Sequence, residues 1–143
     1  MTHFLLDTNI LSHALKPQPS ASLTLWMAEQ EDEDLYIASL TIAEVQRGIL
    51  EKPAGKGRDA LDTWFHGAQG PQALFANRIL PFDARAALIW GRLMAEGRLR
   101  GRPRSALDMI IAATAEAHGC LIVTDNERDF YDLPIFNPMK LGT

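Results

Sequence analysis

Phe4-Leu5-Leu6-Asp7-Thr8-Asn9, at residues 4–9, is the segment from which the fold is most directly predicted. A short apolar run that stops at Asp-Thr-Asn is typical of a buried strand that leads into a helix. Residues 35–38 repeat this pattern before a segment with helical periodicity, and residues 121–124 form another apolar run. Strands that alternate with helices predict right-handed crossovers and a parallel sheet with helices on both faces.

The sequence predicts one α/β domain over residues 1–143 with a central parallel sheet of about five short strands. These strands are expected near residues 4–6, 35–38, 78–82, 121–124 and 133–136. The helices between them have N-cap residues of the preferred types. The predicted N-caps are Ser20, Thr41, Asp83 and Ser105.

Composition restricts the class of protein. The formal net charge is −4, which argues against binding nucleic acid through bulk positive charge, although a local basic surface remains compatible with it. The single cysteine, Cys120, excludes an internal disulfide. The N-terminus does not resemble a signal peptide, and no run approaches the ~18 apolar residues of a membrane span. We therefore expect a cytoplasmic protein without membrane association.

Isolated acidic residues border the apolar segments. Asp7 ends the first strand, whereas Glu44 and Asp108 fall in the first turns of predicted helices, and the segment at residues 125–130 follows the fourth strand. Ligands bind beyond the carboxyl ends of the strands in open parallel sheets, so these acids are expected to converge there. A charge at the rim of a core is costly unless it is compensated. Mg²⁺ or Mn²⁺ would compensate several carboxylates and could activate water.

Each acid also has a purely structural interpretation. The segments at residues 41–44 and 105–108 both match the capping box, in which the acid bonds back to the N-cap residue. Asp7 could simply form the turn after a strand. From the residues alone, a metal site and a set of helix caps both remain open.

Three segments resemble the motifs of PIN-domain ribonucleases, specifically the VapC/FitB type of bacterial toxin. They are LLDTNILS at residues 5–12, LTIAEVQRG at residues 40–48 and ALDMIIAATA at residues 106–115. RILPFD at residues 78–83 and FNP at residues 136–138 are further similarities. The ordered set covers nearly the whole chain and implies a PIN-like, Rossmann-like fold.

The resemblance implies a Mg²⁺- or Mn²⁺-dependent endoribonuclease, with Asp7, Glu44 and Asp108 at the first three acidic positions. It also implies a cognate small antitoxin with a DNA-binding N-terminal domain, an RNA substrate and a homodimer. The fourth position departs from the family pattern, because Asn126 stands where an Asp is common. Asp129 is favoured there, with Asn126 or Asp125 as alternatives.

Further residues are candidates for supporting roles. Thr8, Asn9 and Thr124 lie next to the acids and could orient a carboxylate. We expect RNA contact at a basic segment before the Asp108 helix. This segment contains Arg98, Arg100, Arg102 and Arg104. In similar toxins the antitoxin occupies a groove beside the N-terminal helices. Here that predicts an apolar groove near Leu11, Leu15, Trp26 and Ile49.

Two other functions compete with this one. The first is a nuclease of the same fold that is not a toxin and acts on RNA or DNA. The second is a catalytically weak or inactive PIN-like binding module, for which Asn126 is the supporting feature. Metal-dependent turnover of RNA would exclude the binding module.

Overall fold

The structure, a computed structural model, describes residues 2–140 and contains one parallel five-stranded sheet. The strands are β1 (His3–Leu6), β2 (Leu35–Ala38), β3 (Ile79–Leu80), β4 (Cys120–Val123) and β5 (Ile135–Phe136). Their order is β3-β2-β1-β4-β5, and each neighbouring pair is parallel. The predicted α/β class, with about five short strands, is confirmed.

Seven helices connect the strands within the described residues. They are α1 (Thr8–Ala14), α2 (Ala21–Glu29), α3 (Ser39–Leu50), α4 (Lys56–His66), α5 (Pro71–Leu74), α6 (Ala84–Leu99) and α7 (Ala106–Ala117). Short 3-10 turns occur at Asp32–Asp34 and Pro138–Lys140. None of the helices in this part of the chain is long and apolar enough to cross a membrane.

Three of the four predicted N-caps are confirmed. The side chains of Ser20, Asp83 and Ser105 accept a backbone N–H at the start of α2, α6 and α7. The prediction for Thr41 is wrong, because the N-cap of α3 is Ala38, three residues earlier, and Ala38 has no side-chain cap bond. Thr41 is fully buried inside the helix, so its hydroxyl is available for another partner.

The core lies on both faces of the sheet. Neighbouring residues of a strand point to opposite faces, and β1 is buried on both, since Leu5 and Leu6 are each fully buried. Leu5 packs with α6 and α7 residues such as Leu93 and Met109. Leu6 packs on the other face with Ile10 and other residues of α1 and α2. This double burial explains the continuous apolar run of β1.

The strand order has a reversal beside β1. The chain proceeds from β1 outward through β2 to β3, and the later strands β4 and β5 extend the sheet from the other side of β1. Such a reversal opens a crevice at the carboxyl ends of the strands. Asp7 follows β1 and Thr124 follows β4, so both residues stand at this crevice.

Candidate active site

Asp7 is held in place at the crevice between β1 and β4. As N-cap of α1 it accepts the Thr8 backbone N–H at Oδ1, over 2.8 Å. Its Oδ2 accepts the Thr124 hydroxyl, also over 2.8 Å, and this bond links the two strand ends. Asp7 is only 4% exposed. A buried carboxylate in a fixed orientation therefore faces the carboxyl edge of the sheet.

Glu44 reaches the same edge from the second turn of α3. Its Oε1 accepts a 2.6 Å hydrogen bond from the hydroxyl of Thr8. The Thr8 and Thr41 hydroxyls are 3.0 Å apart and also form a hydrogen bond. The capping-box interpretation of Glu44 is thus wrong: Thr41 is not the N-cap, and the carboxylate is bound by a side chain of α1 instead.

Asp108 lies in the first turn of α7, where the helix dipole favours an anion. Its backbone N–H donates to the Ser105 hydroxyl over 3.3 Å, so the cap predicted at Ser105 is present. Burial nevertheless raises the pKa of Asp108. The negative charge of Asp129, a hydrogen bond shared with Asp129 and the charge of Glu44 raise this pKa further, and a hydrogen bond with Ser105 opposes them.

The structure separates the three candidates for the fourth acidic position. The Asn126 amide donates to Oδ2 of Asp129 over 3.0 Å, and Asn126 Oδ1 accepts the Asp129 backbone N–H over 3.3 Å. This turn directs Asp129 toward Asp108, with which it interacts electrostatically. Asp125 instead faces His13 of α1, with 3.6 Å between Oδ2 and Nε2. Asn126 is thus a support for Asp129.

The four carboxylates interact with one another. Burial raises the pKa of Asp7 to about 6, against opposition from the hydrogen bonds of Thr124 and Thr8, and the charges of Asp108 and Glu44 add to the increase. Such mutual repulsion is the state that a hard divalent cation relieves, and carboxylate oxygens are the ligands that Mg²⁺ and Mn²⁺ prefer. Within residues 2–140 no three acidic, His or Cys side chains form a ready-made metal-binding group. The donor chemistry fits the ion, although the carboxylates are spread apart.

The predicted supporting residues differ in the contacts that they make. Thr8 and Thr124 each hold a carboxylate, of Glu44 and Asp7 respectively. The Thr124 hydroxyl also accepts the Asn126 backbone N–H over 3.0 Å, which ties the fourth position to β4. Asn9 is exposed on the first turn of α1. Sequence reasoning missed the site role of Thr41, because a Thr three residues before a Glu also matches a helix cap.

The four predicted RNA-contact arginines differ in exposure and in their partners. Arg98 is exposed in the last turn of α6, which continues to Leu99. Arg100 forms an ion pair with Asp132 at 2.5 Å. The side chain of Arg104 is 1% exposed, so its assignment to direct RNA contact is corrected: it is a buried structural residue. Arg102 is exposed and stacks on a tyrosine.

An apolar groove of about 580 Å³ adjoins the Glu44 side of the site. Leu11, Leu15 and Ile49 line it, as predicted, and Thr8 and Glu44 form part of its wall. Trp26 does not line it, which corrects that part of the prediction. Trp26 packs instead against Phe4 and Phe136, with ring centroids 5.1 and 5.5 Å away. Trp64 of α4 supplies the aromatic residue of the groove.

Comparisons with known proteins agree with this architecture. The family model described as "PIN domain" matches residues 4–135. Toxin FitB of Neisseria gonorrhoeae is 35% identical over 94% of this chain and 96% of its own length. A VapC ribonuclease of Sinorhizobium fredii is 36% identical over 94% of this chain and 96% of its own length.

Solved structures give the same result. The crystal structure of FitAcB from Neisseria gonorrhoeae superposes with a TM-score of 0.87 and 34% identity, over 96% of this chain and 99% of that chain. A FitAB complex bound to a DNA fragment superposes with a TM-score of 0.86 and 34% identity, covering 98% of each chain. The match extends over nearly the full length in sequence and in structure, and the chain therefore belongs to the PIN-domain family, in the group of FitB and VapC toxins.

Proposed function

We propose that this protein is the toxin of a toxin–antitoxin pair and acts as a metal-dependent endoribonuclease. One observation carries the proposal: four acidic residues lie at the edge where parallel strands end, and burial together with the charges of their acidic neighbours raises the pKa of two of them, Asp7 and Asp108. The four residues are Asp7, Glu44, Asp108 and Asp129. The similarity to a VapC ribonuclease supports RNA as the substrate, and the similarity to toxin FitB supports the role as a toxin.

In this proposal Asp7 and Asp108 hold Mg²⁺ or Mn²⁺ directly, Asp129 is a further ligand, and Glu44 orients water. The ion, when bound, would lower the pKa of a water molecule and stabilise charge on the phosphodiester. The chain itself provides the positioning. Asp7 is fixed by two hydrogen bonds, and its burial near Glu44 and Asp108 leaves the site a strong preference for a cation.

Glu44 is suited to a separate role because its carboxylate is oriented from outside its own helix. The Thr8 hydroxyl donates to Oε1, which leaves Oε2 without that constraint. A carboxylate oriented in this way can accept a proton from water at the second oxygen, as a general base requires. The hydrogen bond between Thr41 and Thr8 in turn fixes the donor.

The test is cleavage of total cellular RNA by the purified protein, with Mg²⁺ or Mn²⁺ and with a chelator. Asp7→Asn and Asp108→Asn remove negative charge from the proposed ligands with little change of volume. We expect cleavage only in the presence of the ion, and its loss in both variants. Undiminished cleavage by both variants would exclude the assignment.

We further propose that a small antitoxin binds the apolar groove. Two of the similar solved structures are described as FitAB bound to a DNA fragment and as DNA-bound VapBC, which supports an antitoxin with a DNA-binding domain. The groove supports a segment with apolar side chains, since Leu11, Val45 and Trp64 line it. Because Glu44 is also in its wall, a basic antitoxin residue at that end would neutralise the site. We retain a homodimer as the proposed assembly of the toxin.

A further inference from the structure

A small cleft is lined by Asp129, whereas the apolar groove is lined by Glu44. The volume of the cleft is about 200 Å³, and its walls are the loop at residues 102–105 together with Arg128, Asp129 and Tyr131. It therefore adjoins the proposed catalytic centre through Asp129. Pockets that enclose a whole small-molecule ligand are usually larger, roughly 300–1,000 Å³. A cleft of this size suits one group of a longer chain.

Tyr131 organises the exposed cation of the cleft. The guanidinium of Arg102 lies 3.5 Å from the centre of the Tyr131 ring. The Tyr131 hydroxyl donates to the backbone carbonyl of Arg102 over 2.7 Å. These contacts restrict an exposed arginine, so less conformational entropy is lost when it binds a ligand.

Arg104 supports the position of Tyr131 through buried contacts. Its side chain is buried, its Nη1 donates to the Tyr131 carbonyl over 3.1 Å, and its guanidinium lies 4.4 Å from the Tyr131 ring centre. Its Nη2 is 3.6 Å from Oδ2 of Asp132. Arg100 also binds Asp132, so the charge of that acid is satisfied within the protein. Arg104 is thus a positioning residue for Tyr131 and, through it, for Arg102.

Arg128 adds a second exposed cation at the cleft. The one acid in the wall is Asp129, whose Oδ2 already accepts the Asn126 amide. Because the whole chain carries a formal charge of −4, an anionic polymer must be attracted by local charge of this kind. Guanidinium groups match the geometry of phosphate oxygens.

We propose that this cleft binds a phosphate of the RNA strand adjacent to the phosphodiester that is cleaved. Arg102 and Arg128 contact the phosphate, and Tyr131 and Arg104 hold Arg102 in position. This inference rests on the proposed ribonuclease function. It places RNA contact close to two of the acids in sequence, at Arg102 shortly before Asp108 and at Arg128 directly before Asp129, and it removes Arg100 and Arg104 from the contact surface.

The experiment measures binding of a fluorescent short single-stranded RNA of random sequence, because phosphate contacts carry no sequence information. The protein is kept in a chelator, so that cleavage does not interfere. Arg102→Gln and Arg128→Gln are each expected to weaken binding about tenfold, the effect of one lost charged hydrogen bond. Each should also lower the slope of log affinity against log salt by about 0.7.

Arg92→Gln is the matched control. Arg92 binds Glu116 in the last turn of α7, whereas the cleft adjoins the first turn of that helix. The control removes the same charge outside the cleft and should leave the salt slope unchanged. Tyr131→Leu removes the stacking platform without removing charge, so we expect weaker binding with an unchanged slope. Thermal unfolding of every variant monitors the integrity of the fold.

The outcomes are separable from those of the ribonuclease test. If the wild-type protein cleaves RNA with Mg²⁺ or Mn²⁺ but Arg102→Gln and Arg128→Gln bind normally, the cleft proposal is overturned and the ribonuclease proposal stands. An equal change of slope for Arg92→Gln also overturns it, because bulk charge would explain the binding. Recovery of the slope in Arg128→Lys, which restores the charge, supports the cleft. Absence of cleavage by the wild type would instead overturn the proposed function.

Discussion

The Thr8 hydroxyl lies 2.6 Å from Oε1 of Glu44, and this hydrogen bond joins the first turn of α1 to the interior of α3. The two residues are far apart in sequence, in two segments that each follow a strand of the sheet. A hydroxyl has one proton to donate. The Thr8 hydroxyl donates it to Glu44, and this hydrogen bond orients the Glu44 carboxylate. Thr8 therefore contributes to the proposed site by positioning an acid, without being a ligand itself.

Removal of the Thr8 hydroxyl is expected to reduce RNA cleavage. Thr8→Val keeps the side-chain shape but leaves Glu44 without its donor, and we expect a loss of about tenfold to a hundredfold in kcat/KM. Thr8→Ser retains a hydroxyl and should preserve most of the activity. Equal activity of the Val and Ser variants would show that the hydrogen bond to Glu44 has no catalytic value.

Charge at Asp7 is expected to destabilise the metal-free protein near neutral pH. Its folded-state pKa is raised to about 6 from an ordinary value of 3.8. The stabilising effect of the protonated form is therefore complete below about pH 4 and is lost as pH rises through about 6. In a chelator at pH 8, Asp7→Asn should unfold at a higher temperature than the wild type.

The size of this effect follows from the pKa shift. A shift of about two units corresponds to roughly 3 kcal/mol at most. The difference between the variant and the wild type should shrink at pH 4 to 5, as measured by thermal unfolding over a pH series. Glu29→Gln, at an exposed site on α2, is the charge-matched control and should show little change. A wild-type protein as stable as Asp7→Asn at every pH would contradict the burial argument.

Two glycines of α6 are expected to respond in opposite directions to alanine. A Cβ at Gly97 would lie 2.8 Å from Cγ of Arg104 and 3.0 Å from the carbonyl oxygen of Arg102. Since the Arg104 side chain is buried and cannot swing away, Gly97→Ala should cost about 1–3 kcal/mol of unfolding free energy. A Cβ at Gly91 meets nothing within 4 Å.

Gly91→Ala is consequently the matched control for Gly97→Ala. Alanine in a helix interior is favoured over glycine by about 0.5–1 kcal/mol, so this change should stabilise the protein. Denaturant unfolding of both variants measures the two effects. A Gly97→Ala variant as stable as the wild type would show that close packing of Arg104 against α6 does not hold the loop at residues 102–105 in place.

Disruption of the apolar groove is expected to weaken antitoxin binding without reducing RNA cleavage. Val45 lines the groove, and Val45→Asp would bury a charge under a bound apolar segment. We expect the proposed antitoxin to lose at least about 2 kcal/mol of binding energy. Isothermal titration measures this loss, and RNA cleavage by the free toxin should persist. Leu25→Asp, 65% exposed on α2 and outside the groove, should bind normally.

The strands of the sheet could be predicted from the sequence, because each strand leaves a local pattern in the chain. Double burial of β1 appears in the chain as a continuous apolar run, and Ser20, Asp83 and Ser105 carry N-cap chemistry at the right places. Thr41 shows the limit of local reasoning. The same residue type that caps a helix also bonds to a side chain on another helix, and only the packing of α1 against α3 decides between them.

The fourth acidic position illustrates a different limit. Asp125 and Asp129 both follow β4 in an acidic segment, and nothing in their order selects one of them. The structure distinguishes them only by their contacts: Asn126 bonds to Asp129 at two points, whereas Asp125 faces His13 on another element. Arg104 is a similar case, since its burial against Tyr131 joins segments that are distant in sequence.

Asp7 and Asp108 are proposed to form a cation-dependent centre for RNA cleavage. The most direct measurement is the rate of RNA cleavage by the purified toxin as Mg²⁺ or Mn²⁺ is added to chelator-treated protein, for the wild type, Asp7→Asn and Asp108→Asn. We predict cleavage by the wild type that begins only with the added ion, and a loss of at least about a hundredfold in each variant. Cleavage by the wild type in the chelator, or undiminished cleavage by both variants with the ion, would contradict the claim.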